Sequence, residues 1–386
     1  MTDTEVGPVR AGAAHDGRPD GMVQLLDQHG VRHTHPDHEV DLEPEELLGL
    51  YRDMVLMRRF DSEAEALQRK GELGLWAGSR GQEAAQVGAG RALRRQDHVF
   101  PSYRDHGALL TRGVDPLHIL SIFRGTDHGG WDPVAAGVHP YTLVIAAQML
   151  PAVGYGMGVQ RDGAVGTGDP ERDTAVIACF GDGATSQGEA AEALNWAAVF
   201  NAPVVFFCQN NQWAISEPVS RQSPVPLHRR AEGAGMPGVL VDGNDVLAVL
   251  AVVRSALERA RNGGGPTFVE AFTFRMGAHT TSDDPTRYRL AAEVDAWREK
   301  DPLDRFRTYL TAEGVLDEDF EAQLAHESEA LAERLRAGVP ALPEPDPVSM
   351  FDHAYAEPHP QVQAERDEFL AAWEQHDRDV HAGGVL

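Results

Sequence analysis

The chain has 386 residues, 42% of them hydrophobic, which is enough for one large core or two ordinary ones. Asp and Glu number 60 against 34 Lys and Arg, a formal charge of −26, so phosphate backbones and anionic lipid surfaces would repel it, and neither nucleic acid nor a membrane is an expected partner. Lysine occurs only at Lys70 and Lys300, neither in a G-x-x-x-x-G-K-[ST] loop, which excludes a P-loop nucleotidase and leaves Schiff-base chemistry and lipoyl attachment poorly served.

Residues 1–40 are rich in Gly, Asp, His and Pro without a sustained period, and read as a flexible arm. His29, His33, His35 and His38 lie in it without a nearby Cys or a helical pair, so a solvated tail is favoured over a metal site. From Pro44 to about Lys70 apolar residues recur at helical spacing, and Gly71 stops the helix. Short helices broken by Gly and Pro follow up to Pro140. The stretch Leu143 to Val159 is apolar, with Gly154 and Gly158 spaced for the close approach of another helix and Pro151 as a kink or a first-turn residue.

The middle of the chain alternates. Thr174–Phe180 is an apolar run of strand length, Glu189–Phe200 is helical, and Pro203–Gln209 is a second buried strand. The unit repeats as strand Val239–Val241, helix Val246–Arg261 and strand Thr267–Phe274. Such repeats predict an α/β fold, a mostly parallel sheet with helices on both faces. Cys179 and Cys208 both fall inside apolar strands and read as buried free thiols, too few for a disulfide framework or a four-ligand zinc site. After Trp297 the chain is acidic and helical, with Met350, Phe351, Tyr355 and Trp373 among charges. The boundaries expected are thus an arm over 1–40, an α/β domain over 41–300 and a helical extension over 301–386. No apolar run approaches the roughly 20 residues that span a bilayer and no signal pattern opens the chain, so a cytoplasmic location is expected.

The segment from Gly181 to Ser216 carries the chemistry. Gly181-Asp182-Gly183 follows the first strand and Asn210-Asn211 ends the second, so Asp182 and Asn211 are expected at one edge of the sheet, where α/β folds bind ligands. A carboxylate with a carboxamide oxygen suits Mg²⁺, which keeps its other positions for phosphate and water. Glycines beside Asp182 allow diphosphate oxygens near the backbone, and Ser186 with Glu189 is spaced as a capping box for the next helix. A dinucleotide loop fits less well, because the third glycine comes late, at Gly188, and the second strand ends in Asn-Asn instead of an acid.

GDG and NN, bracketing a strand–helix–strand unit, resemble the thiamine diphosphate motif. From about Leu42 to Pro360 the chain is similar to the alpha subunit of the thiamine-diphosphate-dependent 2-oxo acid dehydrogenases, and GQEAAQVG (81–88), FPSYRDHG (100–107) and FRMGAHTTSDDPTRYR (274–289) match that family in order. The resemblance implies Mg²⁺ ligation by Asp182, Asn211 and the backbone carbonyl of Trp213. It places Tyr103 and Arg104 on the diphosphate, with Gly181, Gly183 and Ala184 facing it through the backbone. Ile145 would contact the aminopyrimidine ring, and His279 would be the catalytic histidine reaching cofactor and 2-oxo acid. His106 is kept as a supporting candidate. Gln209 departs from the Arg that many relatives carry before NN, Ala278 from a second His, and Thr280 stands where certain eukaryotic relatives have a regulated Ser.

The resemblance covers only the diphosphate-binding half of a thiamine enzyme; the glutamate that faces the aminopyrimidine belongs, in the family, to a beta subunit. It therefore implies an α₂β₂ heterotetramer that decarboxylates a 2-oxo acid and acylates lipoyl groups of an acyltransferase core. Pyruvate is the favoured substrate, with branched-chain 2-oxo acids or acetoin as alternatives. A self-sufficient transketolase-type enzyme and a catalytically dead subunit are less favoured.

Overall fold

The computed structural model describes residues 19–352 and 354–382. Five strands form one parallel sheet: β1 (His98–Phe100), β2 (Val176–Gly181), β3 (Val204–Asn210), β4 (Gly238–Asp242) and β5 (Thr267–Phe272), in the order β1-β2-β3-β5-β4. The central strand β3 is buried along its whole length, which is why its sequence is an unbroken apolar run instead of an alternation. Side chains nevertheless part by the period of two. Ile177, Cys179, Val205, Phe207 and Val269 enter one apolar cluster, and Val176, Ala178, Val204, Phe206, Cys208 and Phe268 the other. The two free cysteines therefore lie on opposite faces of the sheet, too deep to meet.

Helices cover both faces, as expected. The first cluster takes residues of α1 (Pro44–Arg69), α2 (Glu83–Arg91) and α5 (Val246–Arg261), the second those of α3 (Met149–Arg161) and α4 (Gly188–Val199). Pro151 falls in the first turn of α3, where its missing N–H costs no helical bond. An added Cβ at Gly154 or Gly158 would meet nothing within 4 Å, so the close helix approach expected from their spacing is not made among the described residues.

Two expected boundaries move. Residues 19–40 are not an arm: Val23 donates to the Leu240 carbonyl at 2.9 Å and accepts from Asp242 N, which adds a parallel bridge at the β4 edge. Leu25 and Leu26 are buried, and both their amides donate to Asp245 Oδ2. The short apolar stretch MVQLL gains its partners from residues about 220 positions away, so no local period reveals it. Residues 1–18 lie outside the described residues. At the other end, α6 (Pro302–Ala312) and α7 (Glu318–Gly338) are not an extension. They bury Phe306, Leu310, Leu324 and Leu335 in the first cluster, and the compact unit runs on to Pro340. A second unit begins at Ala341 and holds the helix Pro360–Ala382, where Phe369 packs its ring 5.6 Å from Phe351.

Candidate active site

The carboxyl ends of β2 and β3 make the site. Their register pairs Gly181 with Gln209, so Asp182 and Asn210-Asn211 leave the sheet side by side. One cavity is lined by Asp182, Asn211, Trp213, Tyr103, Arg104, Ile145, Gly181, Gly183, Ala184 and His279, so the ten residues that the resemblance places on metal, cofactor or substrate converge there. Asp182 opens a short 3₁₀ turn, Asp182–Ser186, and is almost wholly buried. Its Oδ2 accepts from Gln222 Nε2 at 2.9 Å, and burial pushes its carboxyl up to about 6. Asn211 donates from Nδ2 to Gln82 Oε1 at 2.9 Å, which leaves its own oxygen with only a long 3.3 Å contact from Trp213 N. At Gly183 an added Cβ would meet Ala214 Cβ at 2.8 Å, so the backbone there must stay bare.

The opposite wall is basic. Arg104 is buried and aims one nitrogen at the Gly78 carbonyl, the other at His279 O (2.7 Å) and His279 Nδ1 (3.2 Å). Arg275 approaches the same Nδ1 at 3.2 Å and donates to the carbonyls of Trp213 and Ile215 at 3.0 Å. Two guanidinium donors on Nδ1 require it to accept, so the neutral ring carries its proton on Nε2. Burial and these two cations hold the His279 ring down at about 3. Asp283 accepts from the His279 amide at 2.7 Å and from Tyr288 OH, which ties the loop.

The profile of the family described as Dehydrogenase E1 component matches residues 51–347. Over 363 residues, 92% of this chain and 97% of the relative, the sequence is 46% identical to the 3-methyl-2-oxobutanoate dehydrogenase subunit alpha of Mycobacterium tuberculosis. The chain belongs to the dehydrogenase E1 component family. Two other relatives are named pyruvate dehydrogenase E1 component subunit alpha. That of Acholeplasma laidlawii is 38% identical over 86% of this chain and 94% of its own, and that of Staphylococcus aureus 37% over 80% and 82%. The chain is thus an E1 alpha subunit of the 2-oxo acid dehydrogenases, a family that uses thiamine diphosphate with a divalent metal ion, typically Mg²⁺.

The residues of this E1 alpha chain fit that cofactor. Asp182, Asn211 Oδ1 and the Trp213 carbonyl are hard oxygen donors of the kind Mg²⁺ takes, and the hydrogen-bond partner of Asp182 is a neutral amide that leaves its charge to be met by a cation. Among the described residues no group of three or more His, Cys, Asp or Glu is arranged for a metal. The Trp213 carbonyl already accepts from Arg275, so a metal there would share it through the second lone pair.

Two expectations for this E1 chain change. Ser186 and Glu189 form no capping box: α4 starts at Gly188 with Gln187 as its N-cap, and the Ser186 hydroxyl faces Gln222 Oε1 at 3.4 Å. His106 does not line the cavity. It is buried between Tyr141 OH (2.6 Å) and the Ala77 carbonyl (2.9 Å), stacked 4.3 Å from Trp76, and burial drives it down to about 3, so it is a neutral packing residue. The sequence reading missed Gln82, Gln222, Arg275 and Ile215. Gln82 and Arg275 stand inside segments that matched the family, GQEAAQVG and FRMGAH, but nothing local distinguishes them from surface polar residues.

Proposed function

We infer that this E1 alpha chain holds the magnesium-diphosphate end of thiamine diphosphate and serves the branched-chain class of 2-oxo acids. Asp182, Asn211 and the Trp213 carbonyl would hold the metal. Tyr103 and the Arg104 fork would hold the diphosphate, with the backbone at Gly181, Gly183 and Ala184 against it, and Ile145 would border the aminopyrimidine. When bound, the cofactor supplies a carbon nucleophile and an electron sink. His279 keeps a proton at Nε2 near neutral pH and presents it as a donor to the 2-oxo acid. Arg104 and Arg275 hold its other nitrogen and fix the ring. The net reaction releases CO₂ and passes the acyl group to a lipoyl sulfur, with the lipoyl disulfide taking two electrons.

The substrate class rests on one observation: the relative with the higher identity over nearly its whole length carries the 3-methyl-2-oxobutanoate name, and the pyruvate-named relatives stand lower. A branched-chain 2-oxo acid is therefore favoured over the pyruvate expected from the sequence. Exposed Ile145 and Ile215 add apolar surface at the cavity, which suits a branched aliphatic side chain.

The partners follow from the same reading: a beta subunit in an α₂β₂ assembly, supplying the glutamate for the aminopyrimidine, and a lipoyl-bearing acyltransferase core. Trp196, Val199 and Phe200 on and just after α4 are exposed and offer the beta subunit an apolar face. Among the described residues no helix is long and apolar enough to cross a membrane, and a cytoplasmic location goes with the reading. The test is co-production with the beta subunit and assay of 3-methyl-2-oxobutanoate, pyruvate and acetoin. We expect kcat/KM for the branched acid to exceed that for pyruvate about tenfold or more, the scale set by added apolar carbons in a pocket, and no decarboxylation by the alpha chain alone. Equal or better use of pyruvate would overturn the substrate, and an active lone chain would overturn the subunit division.

A further inference from the structure

Along the wall of the same cavity, leading away from the metal-facing oxygen of Asn211, runs a line of buried amides. Asn211 Nδ2 donates to Gln82 Oε1 at 2.9 Å, Gln82 Nε2 donates to Gln209 Oε1 at 2.8 Å, and Gln209 Nε2 donates to Asp105 Oδ1. Gln86 joins from the side, its Nε2 donating to Gln209 Oε1 at 3.0 Å and to the Arg104 carbonyl at 2.8 Å. All five side chains are nine-tenths or more buried, with exposures of 1% for Gln82 and Gln86, 3% for Gln209, 0% for Asp105 and 6% for Asn211.

The direction of every bond in this line is forced from its ends. Gly107 N is a donor only and lies 2.8 Å from Gln86 Oε1, so the nitrogen of Gln86 must face Gln209. The Asp105 carboxylate accepts from Ser102 N and Oγ on one oxygen and takes the Gln209 nitrogen on the other. Gln209 is therefore fixed with its oxygen toward Gln82. Gln82 must answer with its nitrogen and turn its oxygen to Asn211. An amide has nearly the same shape in its two flipped states. For Asn211 the flipped state would set oxygen against the oxygen of Gln82 and an N–H where a cation needs a lone pair.

We propose that Gln82, oriented by Gln209 and Asp105, is a positioning residue that selects the flip state of Asn211 in which its oxygen faces the metal. It rests on the reading of Asp182 and Asn211 as metal ligands. It also gives Gln209 a use: where many relatives carry an Arg, this chain has an amide whose two ends relay orientation from Asp105 to the metal side. Partners that orient a ligand in this way typically change metal affinity roughly 10- to 100-fold when removed.

A double-mutant cycle on the full chain, co-produced with its beta subunit, tests it, with Mn²⁺ as probe titrated by electron paramagnetic resonance in the presence of thiamine diphosphate. Gln82→Leu should weaken Mn²⁺ binding roughly 10- to 100-fold. Asn211→Asp presents oxygen in both flip states and has nothing to select, so in that background Gln82→Leu should change the affinity less than about threefold, the interaction then being lost from the cycle. The same loss in both backgrounds would mean that Gln82 acts by packing alone, and no loss in either would mean that it does nothing for the metal; each overturns the proposal. Should Gln82→Leu fail to assemble, Gln209→Leu, one link farther from the metal, carries the same cycle with the same two predicted outcomes. Asp182→Ala separates the premises: if it leaves Mn²⁺ affinity unchanged, the metal site itself is wrong, and if it abolishes binding while Gln82→Leu shifts it less than twofold, only the positioning role falls.

Discussion

His279 shares its Nδ1 with two guanidinium groups and is partly buried, so taking up a second proton would set a third cation beside Arg104 and Arg275. The ring of a folded chain thus binds a proton less readily than that of an unfolded one, about 3 against 6.5. A base with its value lowered by folding contributes stability that is complete above the unfolded value, near 6.5, and is lost as the pH falls toward 3. Titration of ring-labelled histidine by NMR should find His279 neutral down to pH 5 in the cofactor-free enzyme. Binding a diphosphate anion beside the two arginines should then raise its midpoint, because the anion offsets the charges that depress it. A midpoint near 6.5 without cofactor would contradict this electrostatic picture. The residue scale is also where the sequence was least legible. Asp182 and Asn211 announce themselves because a strand end and a turn put them in a fixed place. Gln82 and Arg275 do not, since their roles come from partners such as Gln209 and His279 that only folding supplies.

At the scale of elements, local pattern carried most of the fold. β2, β3 and α5 sit within two residues of the spans read from apolar runs and caps, because each is long enough and buried enough for its own residues to decide it. β1 escaped because three residues, His98–Phe100, give no run, and its pairing with Val176–Ala178 is made across the sheet. The segment around Leu25 escaped for the same reason, and one side chain fixes it. Asp245 caps α5 through Leu247 N and Ala248 N with one oxygen and accepts Leu25 N and Leu26 N with the other. Asp245→Ala removes a helix cap, worth about 1 kcal/mol, and strands two buried amides at about 1–3 kcal/mol each. A loss of roughly 3 kcal/mol or more is expected in urea unfolding of the assembled protein, with faster hydrogen exchange at Leu25 and Leu26. A loss under about 1 kcal/mol would show that the segment is not anchored there.

For the whole molecule, the charge of −26 and an anionic cofactor are reconciled by position. Arg104, Arg275 and Arg289 gather at the His279 loop, where Arg289 donates to the carbonyls of Arg275 and Met276, while α7 is rich in acidic residues, with Glu318, Asp319 and Glu321 in its first turn. A net charge of −26 would favour docking to basic segments of the proposed lipoyl-bearing partner, and such attraction is screened by salt. Affinity for the acyltransferase core should fall severalfold between about 50 and 300 mM salt; a salt-independent Kd would remove charge from the recognition. The central claim, however, is the Mg²⁺-diphosphate site at the ends of β2 and β3. Calorimetric titration of thiamine diphosphate into the assembled enzyme, with and without Mg²⁺, tests it most directly. Binding should depend on Mg²⁺ and be abolished by Asp182→Ala while the assembly stays intact; unchanged affinity in that variant would contradict the site.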